Sequence, residues 1–221
     1  MLSAIPLEFN NVGFIYADIS EADVHGNIIS SSIVKDHSLH PKTKVEELLK
    51  RDMFILPSAS LIKVSAFRSV EGFDTSLMGY EDDDLFLRLF RAGYDHFFLE
   101  KPVSVWCIHT ESTSYSVKMS RSRMNYLLKL VDMFPDEPVR GRYYFRDLLM
   151  PRFQVHILND YIRAIEINSK HKAEFEEILC KYVSLVNSQG AVTRKAKVKL
   201  NVFCTVTHYL PKKLCLALVR F

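Results

Sequence analysis

The densest chemistry in the chain is the run Glu81-Asp82-Asp83-Asp84. Adjacent carboxylates repel one another, so folding alone gives little reason to place them together. Such a cluster can supply a general base or face a cation. It would serve equally as a solvated acidic helix start, and residue types alone leave both readings open. Behind the acids, Leu85 and Leu89 recur at i,i+4, as do Phe86 and Phe90, so the spacing predicts an amphipathic helix. Arg91 suits its last turn and Gly93 its C-cap. The acids then fall in the first turn, where the helix dipole favours negative charge. Ahead of them, Gly72-Phe73-Asp74 and the residues up to Tyr80 read as the loop that delivers the chain to this helix.

The elements around the acids follow from periodicity. Val12 to Ile19 is a short apolar run rich in β-formers and reads as a buried strand. Asp23-Val24-His25-Gly26-Asn27 reads as a turn, with Ile28-Ile29 resuming as a hairpin arm or edge strand. Lys42 to Arg51 reads as a helix with Val45, Leu48 and Leu49 on one face. Met53 to Val64 reads as loop then strand, and Ser65 to Val70 as a short helix ended by Gly72. His96 to Leu99 reads as a strand broken by Lys101-Pro102, with a further strand from Val103 to Ile108. From about Val117 the pattern is helical. Met124, Leu127, Leu128, Leu130 and Val131 form one apolar face, and Pro135 ends it. Tyr143 to Ile167 is a long helical stretch with Pro151 as a break or kink. Lys172 to Val186 is a third helix, and the tail alternates basic with apolar residues.

At 221 residues and 48% hydrophobic composition, the chain can bury a sizeable core. Net charge is +3 but unevenly placed: residues 189–221 hold seven Lys/Arg and no acid, against 22 Lys/Arg and 26 Asp/Glu before them. Cys107, Cys180, Cys204 and Cys215 are widely spaced, without CxxC, and read as reduced thiols of a cytoplasmic protein. No secretory signal and no run of 18 apolar residues is present. Neither GxxxxGK[ST], GxGxxG, GxSxG nor HExxH occurs, which removes the phosphate-loop, dinucleotide, serine-hydrolase and zincin readings.

The residues from Gly72-Phe73-Asp74 through Glu81-Asp82-Asp83-Asp84-Leu85 to Arg88 and Gly93 resemble the acceptor-side half of family 2 glycosyltransferases of the GT-A fold. Neighbouring elements resemble that family in the same order. Val12 to Asp18 is similar to its strand ending Tyr-x-Asp. Asp23 to Ile28 is similar to the hairpin that follows, and Leu56 to Phe67 to the strand and helix before the Gly-Phe-Asp turn. Ile108-His109-Thr110-Glu111-Ser112-Thr113-Ser114 is similar to its His/Ser loop. The resemblance spans roughly residues 10–116.

It implies an α/β fold: a partial GT-A sheet with flanking helices over residues 1–116, then a helical C-terminal region with a basic tail over 117–221. It implies sugar transfer from a nucleotide-sugar donor to a glycan or lipid-linked acceptor. Asp82 would be the general base, aided by Glu81, with Asp84, Asp74 and Gly72 at the acceptor. It also implies Mg²⁺ or Mn²⁺ on the departing diphosphate, with His109 as a ligand. The family's donor-binding Asp-x-Asp half would lie before Val12, where eleven residues contain no Asp. The expectation is therefore a truncated transferase with an exposed sheet edge, prone to self-association. Two rivals stay open: a non-catalytic remnant that binds an acceptor or protein, and a metal-dependent phosphohydrolase. Leu200 to Phe221 suits either peripheral contact with an anionic membrane or packing with a solvated basic face. Nucleic acid is not an expected partner.

Overall fold

A computed structural model describes residue 1, residues 11–108 and residues 116–209. The fold is mixed α/β, with a four-stranded mixed sheet and eight α-helices among the described residues. The chain divides into two compact units, Met1–Thr113 and Ser114–Phe221.

The first unit is built on strand β1, Val12–Ala22. Its residues from Phe14 to Ile19 are buried on both faces, as a mainly apolar run requires, with Asp18 the one charged residue among them. Strand β2, Ile28–Ser30, pairs antiparallel with the far end of β1 after the Asp23–Asn27 turn. Asp23 makes that turn by accepting the N–H groups of His25 and Asn27. Two short helices follow, α1 (Val34–His37) and α2 (Val45–Lys50). Strand β3, Ser60–Ile62, returns antiparallel to Phe14–Tyr16. Helix α3, Val64–Ser69, then leads to the Gly72 loop, and helix α4, Glu81–Arg91, carries the acids. Strand β4, Asp95–Cys107, runs parallel to β1 along its whole length.

β4 corrects one expectation. Lys101-Pro102 does not break the strand. The register steps from Ala17 opposite Leu99 to Asp18 opposite Pro102, so Glu100 and Lys101 bulge out and pairing resumes. Among the described residues β4 pairs with β1 alone, so one edge is free of strand partners and a proline without an N–H costs little there. Beyond the bulge, Val103, Val105 and Trp106 are exposed.

The second unit is helical: α5 (Val117–Met133), α6 (Met150–Glu166), α7 (Lys172–Ser188) and α8 (Arg194–Tyr209). Its core draws Met124, Leu127 and Leu130 from α5, Phe153, Ile157 and Tyr161 from α6, and Leu179, Tyr182 and Val186 from α7. Leu128 of the expected apolar face is exposed. Pro151 does not break its helix either. The turn before it, Phe145–Leu149, is widened to π geometry and runs straight into α6. A proline ring clashes with the carbonyl four residues earlier, and a wider turn moves that carbonyl aside.

No helix among the described residues is long and apolar enough to cross a membrane.

Candidate functional site

Helix α4 begins where expected, but its first turn is set up by backbone rather than by a capping side chain. Tyr80, its N-cap, is left-handed at φ 68°, and Gly79 before it lies at φ 142°. A non-glycine residue in that region is costly and persists where its surroundings hold it. The Tyr80 carbonyl accepts the Asp84 N–H at 3.0 Å, which closes the first helical turn.

The four acids then meet four different environments. Asp84 is fully buried and forms an ion pair with Arg88, one turn on, at 2.7 Å. Arg88 also donates to the carbonyl of Gly72 at 2.6 Å and to that of Val70. Asp84 thereby positions the guanidinium that ties α4 to the Gly72 loop. Asp83 is buried and accepts the Met53 N–H at 3.3 Å, which fixes the chain after α2 to the start of α4.

Asp82 and Glu81 are half-buried. Asp82 accepts the N–H of Asp83 at 2.8 Å. Burial, then the charges of Glu81 and Asp52, push the Asp82 carboxyl above the usual carboxylate range despite that hydrogen bond. Glu81 Oε2 is buried with no hydrogen-bond partner among the described residues. A carboxyl of raised pKa, preceded along the helix start by a carboxylate oxygen with no partner among the described residues, offers one group to take a proton and one to accept a hydrogen bond.

The other expected site residues frame these two. Gly72 is buried at φ 68°, and a Cβ there would lie 2.8 Å from the Phe67 ring, so no other residue fits. Asp74 turns the loop by accepting the N–H of Ser76 at 3.0 Å and its hydroxyl at 2.6 Å. His109 lies outside the described residues.

No family model matches the chain, and no curated protein sequence matches it.

The implied divalent cation is not accommodated by the described residues alone: no three His, Cys, Asp or Glu side chains among them converge to hold a metal ion.

Two features escaped the residue spacing. Asp52 reaches Asp82 electrostatically across the fold, and nothing local in the sequence links them. Asp18 lies 2% exposed in β1 and accepts the N–H groups of Ile19, Ile33 and Val34 and the Ser32 hydroxyl. Burial opposes its charge, but these donors outweigh it and hold the carboxyl below its usual range. Its polar neighbours were visible in the sequence; their convergence on one carboxylate was not.

Proposed function

We propose that this chain carries the acceptor side of an inverting glycosyltransferase site of the family 2, GT-A type, with Asp82 as general base. The observation that carries the reading is the Asp82 carboxyl, raised by burial and by Glu81, whose own Oε2 has no hydrogen-bond partner among the described residues. A base with a raised pKa holds a proton more firmly, and proton transfer from a sugar hydroxyl is favoured accordingly. In the proposed step, Asp82 takes the acceptor hydroxyl proton as that oxygen bonds to the anomeric carbon of the donor sugar. The bond from the anomeric carbon to the nucleoside diphosphate breaks, and the electron pair leaves with the diphosphate. Glu81 Oε2 accepts a second hydroxyl of the acceptor and orients it. Gly72, Asp74 and Asp84 contribute through the loop that Arg88 holds against α4. The acceptor would be a glycan or a lipid-linked sugar met at the cytoplasmic side of a membrane.

The mixed sheet supports the reading only in outline: a buried central strand, β1, with a parallel neighbour, β4, and the acidic helix between β3 and β4 in the chain.

The test is acceptor-dependent release of nucleoside diphosphate from a panel of UDP-, GDP- and dTDP-sugars, run alongside glycan-array binding. Release that requires an acceptor supports transfer. Glycan binding without release from any donor would instead favour a non-catalytic binding module. Metal-dependent release of phosphate from simple phosphomonoesters would favour a hydrolase.

A further inference from the structure

Lys42 is 5% exposed, the one lysine among the described residues to be so buried. Its ammonium makes a single hydrogen bond among them, to Ser38 Oγ at 2.6 Å. That hydroxyl faces His40 Nε2 at 3.2 Å, and His40 Nδ1 faces the Tyr16 hydroxyl at 2.8 Å. None of these groups supplies a negative charge. Burial, and then the Lys42 charge, push His40 down to about 4, so it is neutral at physiological pH. Burial also lifts the Tyr16 pKa above its ordinary value. Glu47 acts on Lys42 through space, but its Oε2 accepts the N–H groups of Thr43 and Lys44 at the start of α2. Lys42 is thus a cation taken out of water without an ion-pair partner among the described residues, and burial lowers its pKa.

Lys42 lines a cavity of about 320 Å³ together with Ser38, Leu39, Glu47, Lys50 and Arg51. Three cations face one carboxylate that is already engaged. Lys50 and Arg51 are exposed where Lys42 is buried, so the positive charge runs from the surface inward.

We propose that this cavity binds a phosphate group. An incoming phosphate would supply the countercharge Lys42 lacks and take a hydrogen bond from Ser38. The Arg51 guanidinium suits two phosphate oxygens at once, and Lys50 adds a mobile point charge. A phosphate that compensates a buried cation binds the folded state only, so it stabilises the fold. The phosphate could belong to a phosphorylated glycan or to a free phosphorylated metabolite. Phosphate binding in this cavity does not depend on Asp82 being a base.

The experiment is thermal unfolding of the full chain at neutral pH and constant ionic strength, with glycerol 3-phosphate, inorganic phosphate, acetate or sodium chloride. Both phosphate probes raise the melting temperature of the wild type, and acetate and chloride do not. Lys42→Met abolishes the rise. The double variant Lys50→Ser, Arg51→Ser, which alters exposed side chains only, weakens phosphate binding by about tenfold or more, as loss of two charge-assisted contacts implies. Asp82→Asn leaves the rise intact, which separates this site from the acidic helix. A larger rise with glycerol 3-phosphate than with inorganic phosphate points to an organic phosphate as the ligand; equal rises point to the free ion. The proposal is overturned if chloride or acetate gives the same rise, or if the double variant binds phosphate as the wild type does.

Discussion

Arg88 Nη2 donates to the carbonyl of Gly72 at 2.6 Å while the same guanidinium pairs with Asp84 on its own helix. The acidic helix and the Gly-Phe-Asp loop are therefore one mechanical piece. The Asp84–Arg88 pair anchors the helix whose first turn carries Glu81 and Asp82.

Breaking that pair removes one partner and leaves a buried charge uncompensated, which costs about 3–5 kcal/mol. Asp84→Ala and Arg88→Ala should each destabilise the first unit by about that amount, measured by urea unfolding. Removing both should cost less than the sum of the singles, because the two residues share the interaction. Strict additivity would show that they do not act together.

Asp82 carries the opposite sign. Its carboxyl is raised in the folded state, so folding favours the protonated form. Stability linked to it is full below the unfolded carboxyl pKa of about 3.9 and is lost as pH rises through the higher folded value. Asp82→Asn removes that loss and keeps an oxygen for the Asp83 N–H. It should melt higher than the wild type at neutral pH, with the difference vanishing below about pH 4. A lower melting temperature at neutral pH would contradict the buried, raised carboxyl.

Asp18 behaves as an ordinary structural carboxylate. Its folded pKa is depressed, so its stabilisation is present above about pH 3.9 and is lost as pH falls through the lower folded value. Asp18→Ala takes the carboxylate from the buried N–H groups of Ile19 and Val34, while the Ile33 N–H keeps the Ile19 carbonyl, and should cost about 1–3 kcal/mol or more at neutral pH. The cost should shrink in acid. A pH-independent cost would mean that packing, not charge, is what the residue supplies.

Several parts of this arrangement can be read along the chain and several cannot. β1 and α4 are visible because periods of apolar residues are local signals, and the Asp84–Arg88 pair follows from i,i+4 spacing. The reach of Arg88 back to Gly72 is not visible, since it depends on how the loop folds over the helix. Pro102 looks like a strand breaker because the free edge that tolerates it is a property of the sheet. Pro151 looks like a helix breaker because the widened turn before it leaves no residue signature. Lys42 reads as a surface lysine at the head of a helix. Its burial is a property of the folded chain. Sequence pattern locates elements; it does not say which side chains those elements enclose.

The helical unit offers a direct check of its packing. Cys180 on α7 and Cys204 on α8 bring their sulfurs to 3.8 Å. Burial, then the neighbouring Cys180, push the Cys204 thiol up to about 11, and Cys180 is the more exposed of the two. Diamide should join them, the two thiols losing two protons and two electrons to the diazene, and peptide mapping should recover the Cys180–Cys204 link. Recovery of other pairings alone would contradict this packing of α7 on α8.

Asp82 is the residue on which the proposed transfer depends most directly. In an assay of acceptor-dependent nucleoside diphosphate release, Asp82→Asn should lower turnover by about 10²–10⁴-fold, the usual contribution of a positioned base. Asp83→Asn, next to it and able to keep its bond to the Met53 N–H, should retain most of the activity. Asp82→Asn turning over at the wild-type rate, with its fold intact, would contradict the assignment.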